Sequence, residues 1–246
     1  MSDGAPTEPT RAQPASQPTW GLGDVALGIV LSQVLSVAAT VVAFGIAGWK
    51  TASDVPLWAS AILQVPLWGG WMVAVFLAGR TKGAGVVSDF GLRFRATDAP
   101  LGLGIGLAMQ LLVLPALYFP LLRLLGQTSD DLSAPARALT AKAQGPVGWI
   151  VLVLIVVVGA PVVEELFYRG LLLRSLQKRG LSDVWACVIC GAVFAGMHLQ
   201  ALQFVGLFVL GTVLSFLAVR TGRLGPSICT HAAFNATSVV LLYLSR

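Results

Sequence analysis

Six stretches without Asp, Glu, Lys or Arg set the pattern of the chain: Val25–Trp49, Val55–Gly79, Ala99–Leu122, Ala143–Val163, Val184–Val219 and Leu224–Ser245. About 20 helical residues cross a hydrocarbon core about 30 Å thick, so five of these runs each predict one span. The run from Val184 is too long for one crossing. Its polar break, "HLQALQ" at His198–Gln203, divides it into a hairpin of two short helices. The pattern therefore predicts an all-α fold: a polytopic membrane helical bundle of about seven (seven to eight) transmembrane helices.

Residues at the ends of the runs support the division. In "LQKRG", Lys178 and Arg179 complement a helix C-terminus and Gly180 suits a left-handed cap, with Ser182 or Asp183 as the next N-cap. The fourth helix thus extends past its apolar run to about Lys178. In "GRLGPS", Pro226 falls in the first turn of the last helix, where a missing N–H costs nothing, so one helix ends near Arg220 and another starts near Gly225.

Composition agrees: 56% of the 246 residues are hydrophobic and 11% charged, against about a quarter charged in soluble domains. The mean hydropathy is +0.82. The first twenty residues are rich in Pro, Ser, Thr and Ala without apolar periodicity and are expected to form a disordered tail. Three parts follow: a cytoplasmic tail over 1–20, three N-terminal transmembrane helices over 21–142, and a core over 143–246. The formal charge of +5 changes little, because basic loops follow from orientation in a bilayer; nucleic acid is not the expected partner. With the N-terminus inside, one face holds Arg11, Arg80, Lys82, Arg93, Arg95, Arg174, Lys178, Arg179, Arg220 and Arg223, and the other Lys50, Arg123, Arg137, Lys142 and Arg246. The expected setting is the cell membrane with a cytoplasmic N-terminus. Cys187, Cys190 and Cys229 lie in apolar stretches and make no disulfide framework.

Against this background the polar residues inside the spans stand out. Measured from the basic clusters, Glu164 lies about 15 Å deep, His198 about 22 Å, His231 about 12 Å and Asn235 about 18 Å. Three helices therefore offer polar groups at overlapping depth. Glu165 and Arg169 are spaced i, i+4 and can pair, whereas Glu164 projects about 100° away and is left for another task, which suits a general base. The chain has only two histidines, and both fall here. Phe194 shares a face with His198, and His231 with Asn235. A carboxylate, two imidazoles and an amide can activate water and stabilise an oxyanion, which points to hydrolysis of an acyl bond. Each group alone has a structural reading, as a tether or interhelical hydrogen-bond partner.

"EELFYR" (Glu164–Arg169), "FAGMH" (Phe194–His198) and "HAAFN" (His231–Asn235) resemble, in order, the EExxxR, FxxxH and HxxxN motifs of the CAAX prenyl protease and bacteriocin-processing (CPBP, or Abi) family of intramembrane endopeptidases. The resemblance covers roughly Ala143–Leu244, and "DFGLRFR" is similar to a loop that often precedes the family's core. It implies a membrane peptide as substrate, prenylated and CAAX-type in the eukaryotic branch. It also implies that Glu164 and His198 hold and activate water while His231 and Asn235 stabilise the oxyanion, with Glu165, Arg169 and Phe194 in support. The family is customarily called a metalloprotease, and Glu164, His198 and His231 supply a ligand set for a divalent metal such as zinc. Using Glu164 as a ligand leaves no separate base except Glu165, so metal-free water activation is preferred and the metal question stays open. The alternative from another class is a non-catalytic membrane scaffold or bacteriocin-immunity protein.

Other short patterns carry no chemistry. Cys187 and Cys190 form a CxxC inside an apolar helix, where packing is the expected role. Gly102 and Gly106 read as a helix-packing face rather than a dinucleotide loop. Trp20, Trp49, Trp58 and Trp149 flank spans as interfacial anchors.

Overall fold

The computed structural model describes residues 18–245. Its helices are α1 (Leu22–Ala47), α2 (Leu57–Thr81), α3 (Val86–Phe90), α4 (Asp98–Leu125), α5 (Ser129–Ala141), α6 (Gly145–Lys178), α7 (Asp183–Met197), α8 (Phe204–Thr221) and α9 (Gly225–Leu244). Among the described residues there is no strand. Six helices, α1, α2, α4, α6, α8 and α9, are long and apolar enough to cross a membrane, and α7 is a shorter apolar helix. The protein is a multi-pass helical membrane protein. The expected break falls where the polar hexapeptide placed it, since α7 stops at Met197 and α8 begins at Phe204.

Close helix crossings depend on glycine. A Cβ on Gly102 would lie 2.4 Å from the Cβ of Cys229, and one on Gly106 2.8 Å from the amide nitrogen of Phe234, so these two glycines seat α4 against α9 as a packing face. Gly191 and Gly211 do the same for α7 and α8, where a Cβ on Gly211 would come within 3.0 Å of the Gly191 Cα. α6 runs among these pairs. Phe167 stacks on Trp71 of α2 with centroids 5.2 Å apart, and Cys190 Sγ of α7 donates to the Tyr168 carbonyl at 3.3 Å. Cys187 and Cys190 are buried free thiols, as the packing role requires.

The interhelical ties at one end of the bundle join residues of the expected basic face. Lys82 pairs with Asp24 at 2.7 Å. Arg174 donates to the Asp89 carbonyl at 2.9 Å and to the Gly222 carbonyl at 3.2 Å. Arg223 pairs with the buried Asp98 carboxylate. The "DFGLRFR" loop is sewn to the start of α9, because the Gly91 and Arg93 carbonyls accept from the Leu224 and Gly225 amides at 2.8 and 3.1 Å.

Two features depart from the pattern reading. Trp20 is not an interfacial anchor: it is 3% exposed, its ring packs 5.2 Å from Phe90, and its Nε1–H donates to Asp89 at 3.3 Å. That acceptor satisfies the indole N–H and permits burial. The expected tail lies outside the described residues over 1–17. The helix α5 lies outside the apolar runs, and "TSDD" carries its start signal: Thr128 Oγ1 accepts from the Asp131 amide at 3.2 Å while Asp131 accepts from the Thr128 amide at 2.8 Å.

Candidate active site

The candidate residues come from α6, α7 and α9, and α6 is irregular where it carries them. It widens into π turns at Leu154–Gly159 and Glu165–Leu172, on either side of Glu164. Such turns often mark functional sites because they redirect side chains and loosen the backbone ladder. All eight residues of the second turn are buried.

Glu165 and Arg169 pair as their spacing predicts, at 2.7 Å with both side chains fully buried. Each guanidinium nitrogen has an acceptor. It donates to the Gly211 carbonyl at 2.9 Å and to Ser215 Oγ at 3.3 Å, and lies 4.6 Å above the Phe194 ring. A buried charge needs this degree of pairing to remain in place.

Glu165 has a second partner that spacing did not reveal. Its Oε1 lies 3.0 Å from His231 Nδ1. A carboxylate only accepts, so Nδ1 is the donor and Nε2 turns toward Glu164, whose Oε2 is 3.8 Å away. The two glutamates therefore meet on opposite edges of one imidazole. Glu164 Oε2 is buried and has no hydrogen-bond partner among the described residues.

His198 sits at the C-terminal end of α7, where its Nδ1–H donates to the Phe194 carbonyl at 2.8 Å and leaves Nε2 as the other ring nitrogen. Phe194 is the common wall: its ring is 4.7 Å from that of His198 and 5.8 Å from that of His231. Asn235, one turn beyond His231 on α9, donates from Nδ2 to the Val156 carbonyl of α6 at 2.8 Å. The amide has two hydrogens, so one is left for another acceptor.

The arrangement joins Glu164, Glu165, Arg169 and His231 directly and brings His198 in across Phe194. Among the described residues no three His, Cys, Asp or Glu side chains are gathered to hold a metal ion. Glu164, His198 and His231, as they stand, do not fit a three-ligand metal centre. What the set does offer is an acceptor without a partner, an imidazole oriented by a carboxylate, and an anchored amide.

Four contributors had no sequence motif. Ser215 and Gly211 of α8 hold Arg169, and Asp98 with Arg223 fixes the start of the helix that carries His231.

Residues 146–237 match the family described as type II CAAX prenyl endopeptidase, Rce1-like, in agreement with the CPBP resemblance of the three motifs. No curated protein and no solved structure matches the chain.

Proposed function

We propose that this chain is a CAAX-type intramembrane endopeptidase in which Glu164 activates water for attack on a peptide bond. The observation that carries this reading is the buried Glu164 Oε2, without a hydrogen-bond partner among the described residues, facing an imidazole that Glu165 has oriented. The family match over residues 146–237 supports the reaction class.

Water held between Glu164 and Nε2 of His198 attacks the scissile carbonyl carbon. Glu164 takes a proton from the water as the C–O bond forms. The resulting oxyanion accepts from the free N–H of Asn235, on the helix that also carries His231. When the C–N bond breaks, Glu164 delivers its proton to the departing amine. Glu165 and Arg169 do not touch the substrate; they hold His231 at the correct angle.

The basic end of the bundle faces the cytoplasm in this reading, following the bias of Lys and Arg. A substrate with an apolar or lipidated tail enters from the bilayer. A cavity of about 300 Å³ beside α9, lined by Gln110, Tyr118, Phe234 and Ser238 among others, takes its apolar part.

The test is cleavage of a synthetic prenylated CAAX-type peptide by purified protein in lipid nanodiscs, with and without a chelator. Release of the C-terminal tripeptide that persists after chelation supports the proposal. Release abolished by chelator and restored by zinc replaces it with a metal mechanism. No cleavage of this peptide or of a panel of membrane peptides favours the scaffold or immunity protein.

A further inference from the structure

The anchor of Asn235 has a cause in the backbone of α6. In the first π turn the Ala160 N–H bonds to the Ile155 carbonyl, five residues back. Continued by one residue, this register would pair the N–H of residue 161 with the Val156 carbonyl. Residue 161 is proline and has no N–H to give. The Val156 carbonyl is thereby released from the ladder inside an apolar bundle, where an acceptor without a donor is costly. It is this carbonyl that receives Asn235 Nδ2 at 2.8 Å.

We infer that Pro161 is a positioning residue: by withholding one hydrogen it leaves the Val156 carbonyl open, and that carbonyl orients Asn235. Pro161 is itself buried, three residues before Glu164 on α6. One backbone irregularity thus sets the base through the helix that bears it and the amide through a hydrogen bond to the same helix. Asn235 is held by the stretch of α6 backbone that leads into Glu164.

The chain contains a single asparagine, which makes the contact directly observable. Full-length protein labelled with [15N]asparagine in nanodiscs gives one side-chain NH2 pair. In the wild type the two protons are expected to be well separated, the one bonded to Val156 exchanging slowly with water. Pro161→Ala supplies the missing N–H, which competes for the carbonyl; the pair is expected to move toward the shifts of a free amide and to exchange faster. Pro161→Ser restores the same N–H with a different side chain and is expected to act alike, so a folding defect peculiar to one variant does not decide the outcome. Unchanged Asn235 signals in both folded variants overturn the inference.

The kinetic arm rests on the proposed hydrolysis. With the prenylated peptide, Pro161→Ala is expected to lower kcat by about 10- to 100-fold at constant KM, the scale of a misplaced catalytic group. In an Asn235→Ala background it is expected to have no further effect. An equal loss in that background overturns the inference. Absence of cleavage by the wild type defeats the protease reading alone, because the asparagine signals still decide whether Pro161 frees the anchor.

Discussion

His231 lies between two sequence-adjacent glutamates, with Nδ1 3.0 Å from Glu165 Oε1 and Nε2 3.8 Å from Glu164 Oε2. The relationship divides the labour of the pair. Glu165 accepts from both His231 and Arg169 through the same oxygen and is held in place by them. Among the described residues both glutamates keep a buried Oε2 without a hydrogen-bond partner, but Glu164 has no tie to Arg169 and meets His231 only at 3.8 Å.

Neutralising the two carboxylates should therefore give different phenotypes. Glu165→Gln leaves the fully buried Arg169 without its counter-charge, and removing one member of a buried pair costs about 3–5 kcal/mol. Glu164→Gln breaks no ion pair with Arg169 and should unfold near the wild-type midpoint. Thermal unfolding in detergent, followed by circular dichroism, compares them; equal midpoints for all three proteins would remove the structural role assigned to Glu165.

The crossing of α7 and α8 sets the position of Phe194 and His198. A Cβ at Gly191 would lie 2.4 Å from Thr212 Oγ1 and 2.8 Å from the Thr212 amide nitrogen. Gly191→Ala must push the helices apart, at a cost of about 1–3 kcal/mol. Peptide cleavage is expected to fall together with stability. A variant with undiminished activity and an unchanged unfolding midpoint would show that the spacing of these helices does not govern the site.

Substrate length and bulk should be read by the cavity beside α9. Ser238→Phe fills part of its roughly 300 Å³ without touching Glu164 or His231. Loss of binding common to ground state and transition state raises KM and leaves kcat in place. A rise of about tenfold in KM for a prenylated peptide, with little change for an unprenylated one, is the expected outcome of steady-state assays.

The start of α5 should respond to acid. The Thr128 hydroxyl, the largest influence, and the Thr128 amide hold the Asp131 carboxyl below its ordinary value. A group with a lowered folded value stabilises above the unfolded value and loses that contribution as pH falls through the folded one. Amides in the first turn of α5 should lose protection, measured against their intrinsic exchange rates, below the carboxylate range, with the protection of α9 unaffected, as hydrogen exchange at several pH values would show. Asp131→Asn should remove this dependence.

Much of the architecture was legible because lipid imposes simple rules. Charge-free runs located the spans, "HLQALQ" located the break between α7 and α8, and the Glu165–Arg169 spacing gave the buried pair. The His231–Glu165 contact was not legible, since it joins residues 66 apart through a tertiary crossing. The π turns have no periodic signature in the sequence. Trp20 looked like an anchor because its acceptor, Asp89, is 69 residues away. The amphipathic α5 lies between longer apolar runs and is short and polar, so its capping box is the one local signal it carries.

The central claim is that Glu164 acts on water rather than through Glu165 or a structural tie. The most direct measurement is single-turnover cleavage of a prenylated CAAX-type peptide by wild type and Glu164→Gln, with folding checked on the same samples. The account predicts a loss of at least about 10²–10⁴-fold in the chemical step with folding and peptide binding retained. A folded Glu164→Gln protein that cleaves at the wild-type rate would contradict it.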